Sequence, residues 1–437
     1  MKERILFVVT VNPFDAKKYY FPPLGPAYLV SSLKKKFKDN FFEFKIINRN
    51  FEKEINLFSP SLVGISSMSQ NYNIAREYAK IAKRKGCKVI IGGVHISTLP
   101  ESLSEDMDVG VIGEGEETIK DLLEIYLKNR DFPVNLLKNL KGIIFRENGE
   151  IKITEKRLPI FPPENIPHPD RTLVNDRKNC IIFSSRGCFY NCIYCPSQKI
   201  WGKVRIFPAE YIVEEIEEIF KRKIKFLNFA DYLLTYDKNR LEEIIKLLKV
   251  KKILGKCFFY ISTISSLIDE EIANLLKEMK VVSVSMNLVS GRDEILRDLK
   301  TPNSVKKNIE AIKILKEKDI SIYASFSIGL PSETKEEIEG TLKFIKNTKI
   351  DNFDIYLPTP YPGTFLWEKA KEKGIVKNEM DWDSLNCDFQ RNYKKILIIS
   401  EKISKKELYK LFRKFQRYKK ILKIKNFLTK IYKKIII

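Results

Sequence analysis

The chain has 437 residues, 44% of them hydrophobic and 11% aromatic, enough to bury the cores of two or three domains and too apolar for intrinsic disorder. Its net charge is +23, but thirteen Lys or Arg against the single acid Glu407 fall within 405–437, so that tail carries +12 and the mildly basic body argues only weakly for nucleic acid. No apolar run approaches the ~20 residues of a membrane span, residues 5–9 are too few for a signal-peptide core, and the cysteine usage fits a reducing cytoplasm rather than a disulfide framework.

Residues 1–130 alternate short apolar strands with amphipathic stretches, the pattern of a parallel sheet wrapped by helices. Strands are expected at 5–10, 44–48, 62–67, 88–92 and 108–112, and helices at 26–37, 73–85 and 116–127. Such sheets bind ligands beyond the carboxyl ends of their strands. Those ends carry Ser66-Ser67-Met68-Ser69, Gly92-Gly93-Val94-His95 and Gly113-Glu114-Gly115-Glu116. Glycines there let a backbone approach a ligand closely, although Gly-Glu-Gly-Glu also serves as a plain helix start.

Residues 131–178 read as a connector. Asn148-Gly149 suggests a hairpin turn, and Pro159, Pro162, Pro163, Pro167 and Pro169 break regular structure after it. From 179 to 375 the strand-helix rhythm resumes. Strands are expected at 180–184, 225–230, 257–262, 281–286, 321–328 and 352–356, with helices at 209–220, 239–248, 269–279, 304–317 and 335–346. Six such units with chemistry at strand ends predict a partial (βα)6 TIM-type barrel.

After the first of these strands, Cys188, Cys192 and Cys195 put three of the seven cysteines into eight residues. Three thiolates facing one point from a single loop suit an iron–sulfur cluster with one iron left open. A zinc knuckle is the bland alternative, but zinc sites usually pair two Cys-x-x-Cys or Cys/His units, and neither His95 nor His168 lies near in sequence.

This Cys-x-x-x-Cys-x-x-Cys loop, with Tyr194 before its last cysteine, resembles the signature of radical S-adenosylmethionine (SAM) enzymes. The resemblance implies that Cys188, Cys192 and Cys195 hold a [4Fe–4S] cluster. Its open iron would chelate the amino and carboxylate groups of SAM, and an electron would cleave the sulfonium to a 5′-deoxyadenosyl radical. The backbone near Tyr194 would approach the adenine. A Gly-Gly-Glu motif expected after the second barrel strand is replaced by Phe229-Ala230-Asp231, which makes Asp231 the candidate for the SAM amino group. Gly-Ile-Glu-Ser-Gly, expected after the fourth, reads Asn287-Leu288-Val289-Ser290-Gly291, with Val289 in place of the acid and Ser290 retained. After the fifth, Gly329-Leu330-Pro331 agrees well, adding Gly329 to the SAM set.

The earlier segments, with Pro22-Pro23-Leu24-Gly25-Pro26, resemble the cobalamin-binding domain that precedes this barrel in a large subgroup. The resemblance implies corrin and nucleotide-tail contacts from Ser66, Ser67, Met68, Gly92, Gly93, His95, Gly113, Glu114 and Gly115. Cobalamin mutases carry Asp-x-His-x-x-Gly after the first strand, whereas residues 11–16 hold no histidine. A base-off corrin without a histidine from that loop is therefore expected, with His95 read chiefly as a packed polar residue at a helix start.

Together these features imply a cobalamin-dependent radical SAM enzyme, foremost a methyltransferase acting on an unactivated carbon. The alternatives are a cyclase or oxidase without methyl transfer, and a non-catalytic cobalamin or SAM binder. Methylthiolation is disfavoured because residues 1–178 contain only Cys87. Implied partners are a small-molecule or lipid substrate and a flavodoxin- or ferredoxin-type reductant. The region 376–437 reads as helical, and its Lys-rich amphipathic tail, with Leu411, Phe412, Phe415, Tyr418, Leu422, Phe427, Leu428, Ile431 and Ile435 at roughly helical spacing, can pack on the barrel or lie on a membrane surface.

Overall fold

Residues 2–18, 21–37, 41–390 and 393–436 are described by the structure, a computed structural model. They form two compact units, one of Met1–Asn179, Pro196–Arg205 and Tyr361–Leu385, the other of Cys180–Cys195, Ile206–Pro360 and Asn386–Ile437.

In the first unit, β1 (Glu3–Val9), β2 (Phe42–Ile47), β3 (Leu62–Ser66), β4 (Lys88–Gly92) and β5 (Val109–Val111) lie parallel in the order β2-β1-β3-β4-β5. Ile5, Leu6, Phe7 and Val8 are buried in succession, as are Leu62, Val63 and Ile65. Burial without alternation is what strands covered on both faces require. The helices Leu24–Lys36, Tyr72–Arg84 and Glu116–Asn129 belong to this layer. Tyr72–Arg84 buries Tyr72, Ala75, Ala79 and Ala82 at three- and four-residue spacing, one face of a helix.

The stretch 131–178 does not stand apart as a connector. β6 (Ile143–Glu147) pairs antiparallel with β5, and β7 (Glu150–Ile153) with β6, extending the sheet to seven strands. Ile143, Ile144 and Phe145 are buried, so this hairpin needs a sheet to lie against. Its turn is the expected Asn-Gly pair, with φ of 50° at Asn148 and 83° at Gly149. Residues 361–385 likewise belong to this unit rather than to the barrel, because Trp382 is fully buried against Tyr72 and His95.

In the second unit six parallel strands follow one another in chain order: β8 (Cys180–Ile182), β9 (Phe226–Phe229), β10 (Phe258–Thr263), β11 (Val281–Val289), β12 (Ser321–Ser327) and β13 (Asn352–Tyr356). Intervening helices start where the sequence offers caps: Asp237, Asp269 and Ser304 accept from backbone amides, and Thr334 with Glu337 forms a reciprocal capping box. This is the open (βα)6 barrel expected from the strand pattern.

β13 is an edge strand, and the long helix Lys405–Ile436 lies along it. Tyr418 stacks on Phe353 with ring centroids 6.3 Å apart, and Asn426 Nδ2 donates to the Asp351 carbonyl at 2.6 Å. Leu408, Leu411, Phe412, Phe415 and Leu422 are buried. The apolar stripe is therefore covered by protein as far as Leu422, which corrects the membrane-surface alternative for that stretch. Covering a sheet edge also blocks stray strand pairing. The side chains of Phe427, Leu428, Ile431 and Ile435 lie outside the described ones, and no helix among the described residues is long and apolar enough to cross a membrane.

Candidate functional site: a three-cysteine loop and a set of glycine-rich strand ends

The cysteine loop begins where β8 ends, and two buried side chains fix its root. Asp231 accepts from the Ser184 amide at 2.6 Å, the Ser184 hydroxyl at 2.7 Å, the Ser185 hydroxyl at 2.8 Å and the Leu233 amide at 3.3 Å. Arg240 donates to the carbonyls of Ser184 at 2.8 Å, Leu233 at 2.9 Å and Phe207 at 3.2 Å. One carboxylate and one guanidinium thus tie the loop after β8 to the loop after β9. Gly187, at φ 93°, turns the chain into the loop.

Cys188, Cys192 and Cys195 are half-buried and free of disulfides. The Ile193 amide donates to the Leu299 carbonyl at 3.2 Å and Cys195 to the Cys192 carbonyl at 3.0 Å, which shape the loop. Burial pushes the Cys192 thiol up to about 11, the neighbouring Cys195 and Cys188 add to the rise, and the Tyr194 hydroxyl opposes it. Bound iron would reverse that balance, since a cation next to sulfur favours the thiolate. Among the described residues no three His, Cys, Asp or Glu side chains converge around one ion. A cubane does not need them to, because each thiolate takes its own iron. The donor set, three soft sulfurs on one braced loop, therefore fits a [4Fe–4S] cluster.

Tyr194 sits between this loop and the sheet. Asn287 Nδ2 donates to its hydroxyl at 3.2 Å, and Ser325 Oγ donates to Asn287 Oδ1 at 3.1 Å. Burial, then Cys192, raises its phenol above the ordinary value. Beside it Val289, fully buried, packs in an apolar cluster with Leu296, Leu299 and Leu330. Val289 has φ 64°, and the Ser290 amide reaches back to the Leu288 carbonyl at 2.8 Å, a γ-turn with a β-branched residue at its tip. That is a strained arrangement, and strain of this kind collects at functional sites.

Three of the expected SAM contacts have other duties. The Asp231 carboxylate accepts from four intramolecular donors and so braces the cysteine loop. Ser290 is fully buried, hydrogen-bonded to Thr341 Oγ1 at 3.1 Å and to the Arg292 amide at 3.2 Å. Gly329 is glycine because Leu408 of the C-terminal helix crosses it: a Cβ there would stand 2.5 Å from Leu408 Cδ2. Its amide donates to Glu333 at 2.6 Å. Tyr232, in the loop after β9, is 41% exposed, and its phenol is raised by burial and then by Cys195 and Cys188.

In the first unit the ends of β3, β4 and β5 stand side by side, with Ser66 and Gly92 in register. The Ser67 amide donates to the Gly92 carbonyl at 3.1 Å, and Ser97 Oγ bridges the Gly93 carbonyl at 2.8 Å and the Gly113 amide at 2.9 Å. Gly93 has φ 98°, and a Cβ there would lie 2.7 Å from the Ser67 carbonyl, so only glycine closes this corner. At Gly92 and Gly113 an added Cβ would meet nothing nearer than 3.9 Å. These two positions, with half-buried Ser66 and Gly115 and the 50% exposed Met68, present mostly small side chains at neighbouring strand ends, a fit for a flat macrocycle lying against them.

Ser67, His95 and Glu114 do not belong to that set. Ser67 is buried, its hydroxyl held by Thr10 at 2.9 Å. His95 is wholly buried, Nδ1 3.0 Å from Ser69 Oγ and Nε2 3.0 Å from Ser102 Oγ, with Tyr72 and Trp382 against its ring. Burial drives its pKa down to about 3, so it is a neutral, sealed imidazole with no nitrogen left for cobalt. Glu114 forms a buried bidentate pair with Arg205 at 2.7 and 2.8 Å and accepts from the Ile160 amide at 3.1 Å. Sequence spacing could not reveal these partners, because Arg205 lies 91 residues from Glu114 and Trp382 far beyond His95.

Comparison with known proteins agrees with this geometry. Residues 182–345 match the model of the radical SAM superfamily and residues 15–123 that of the B12 binding domain. An uncharacterised methyltransferase of Pyrococcus horikoshii is 31% identical over 378 residues, covering 83% of this chain and 81% of that protein. The chain belongs to the cobalamin-dependent radical SAM enzymes. An anaerobic magnesium-protoporphyrin IX monomethyl ester cyclase of Cereibacter sphaeroides is a more distant relative, 25% identical over 81% of this chain and 61% of its own length. The fold is shared with the radical SAM methyltransferase TsrM from Kitasatospora setae, solved with cobalamin and a [4Fe–4S] cluster: TM-score 0.70, 18% identity, 86% of this chain and 76% of that one.

Proposed function

We propose that this chain is a cobalamin-dependent radical SAM methyltransferase that methylates an unactivated carbon of a small molecule. The observation that carries this reading is the disulfide-free three-cysteine loop braced at the mouth of an open barrel, in a chain that also holds a B12 binding domain. Cys188, Cys192 and Cys195 would hold the cluster, and Ser66, Met68, Gly92, Gly93, Gly113 and Gly115 would flank the corrin. When bound, these cofactors and SAM supply an electron, a 5′-deoxyadenosyl radical and a transferable methyl group.

The chain's own residues orient and shield. Asp231 and Arg240 keep the cluster loop at a fixed height over β8 and β9. Asn287 holds the Tyr194 phenol. Radical chemistry asks little of acid–base groups, consistent with His95 being neutral and sealed. A small flavodoxin- or ferredoxin-type protein in the cytoplasm would deliver the electron.

SAM carrying a deuterated methyl group tests the reading. After anaerobic loading with iron, sulfide and hydroxocobalamin, the label should appear first in the corrin fraction and then in an acceptor. Label that never reaches the corrin in fully loaded protein would overturn it. A second reading, ring formation or oxidation without methyl transfer, draws on the relationship to the cyclase; it is favoured if substrate is consumed without label.

A further inference from the structure

The helix-free face of the barrel sheet is divided in two. On its first half, Phe226 stacks 5.4 Å from Phe258 and 6.2 Å from Tyr260, and Phe226 and Tyr260 are 54% and 42% exposed. In the loops that follow β8 and β9, Phe189 and Tyr236 pair with ring centroids 4.5 Å apart, again about half exposed. On the second half the same face carries Ser283, Ser285 and Asn287 from β11, and Ser325 and Ser327 from β12, all half-buried.

Charge is the more telling feature. In a chain of net charge +23, no Lys or Arg occupies this face of β9 to β13, and the one acid there is Asp354. Its carboxylate is already neutralised: Lys419 of the C-terminal helix pairs with it, and the hydroxyls of Tyr323 and Tyr356 donate to it. Tyr418 stacks on Phe353, on the opposite face of β13, while Lys419 reaches this one, so the helix straddles the edge strand.

We propose that this wall is the substrate site, and that the substrate is an uncharged molecule with a flat aromatic or polyene body and a hydrogen-bonding edge. Rings lie against exposed aromatics through offset or edge contacts. The edge meets the hydroxyls and amides of β11 and β12. A phosphorylated or nucleotide substrate needs charge-assisted donors, and this wall offers none unpaired. The inference rests on the barrel being the catalytic unit, as proposed above.

The full chain, titrated with N-phenyl-1-naphthylamine as a neutral fluorescent probe and with 1-anilinonaphthalene-8-sulfonate as its anionic counterpart, tests the inference. The neutral probe should bind at a site weakened about tenfold by Tyr260→Ala with Phe226→Ala, and unaffected by Phe365→Ala at an exposed aromatic elsewhere. Tyr260→Ala alone suffices if the double variant melts early. The sulfonate should show no component sensitive to those changes until Asp354→Asn frees Lys419, which should create one. A neutral probe indifferent to both aromatic substitutions would overturn the proposal, as would sulfonate binding equally well at the aromatic-sensitive site of the unaltered chain. Substrate-free 5′-deoxyadenosine formation from SAM is read separately, so loss of the substrate inference and loss of the enzymatic reading are told apart.

Discussion

The two sheets are built from parallel strands in the same rhythm but use alternate positions differently. β1, β3 and β4 bury consecutive residues, whereas β12 alternates half-buried Ser321, Tyr323, Ser325 and Ser327 with buried Ile322, Ala324 and Phe326. A sheet covered on both faces can present chemistry only where its strands end, and the first unit collects its glycines and serines there. A sheet covered on one face can present chemistry along the whole strand, which is what a barrel wall provides.

Substitutions at equivalent depths should separate the two. Ile65→Ser in β3 should cost roughly 4 kcal/mol in a urea melt, from lost packing plus a buried hydroxyl; Ser285→Ala in β11 should stay within about 0.5 kcal/mol. Equal costs would erase the distinction. Gly93→Ala should cost about 3 kcal/mol, because a Cβ must enter the Ser67 backbone at a φ only glycine favours, and the protein should lose cobalamin on gel filtration while retaining iron.

His95 gives the first unit a pH signature. Its folded pKa, about 3, lies below the ordinary 6.5, so stability is whole above pH 6.5 and falls as pH drops toward 3, by up to about 1.4 kcal/mol per unit. His95→Gln should flatten that slope in melts at pH 7.5, 6 and 5, and leave the cob(II)alamin electron paramagnetic resonance spectrum without any change in nitrogen coupling. A coupling that vanishes with the histidine would mean that it does reach cobalt.

Glu333 gives the second unit the opposite sign. It is buried, its pKa raised to about 7 from 4.5, so its contribution is whole below 4.5 and lost as pH rises through 7. Glu333→Gln keeps an acceptor for the Gly329 and Leu330 amides and should remove a loss of about 1.4 kcal/mol per unit or less.

Periodicity made the strands and helices legible: β4 and β13 begin and end where the apolar runs do, and the other strands are displaced by a few residues. The cysteine loop was legible because its three cysteines lie within eight residues of one another. The acid at Asp231 after β9 was visible in the sequence, but its partners Ser184 and Ser185, which lie 47 and 46 residues earlier, were not. The neighbours of Ser290 and Gly329 were hidden for a related reason, since Thr341 and Leu408 come from later helices. The Asn148-Gly149 turn was readable, but not the edge of β5 to which its hairpin would attach. Lys419 looked like one more tail lysine; only the path of the helix along β13 shows which face it serves.

Anaerobic incubation of the iron-, sulfide- and cobalamin-loaded chain with SAM and a reductant, quantifying 5′-deoxyadenosine and S-adenosylhomocysteine, tests the account most directly. Both products should form. Cys188→Ala should abolish deoxyadenosine while cobalamin stays bound, and omission of cobalamin should abolish S-adenosylhomocysteine. Neither product from a chain shown to hold both cofactors would contradict the account and leave a binding protein in the shape of an enzyme.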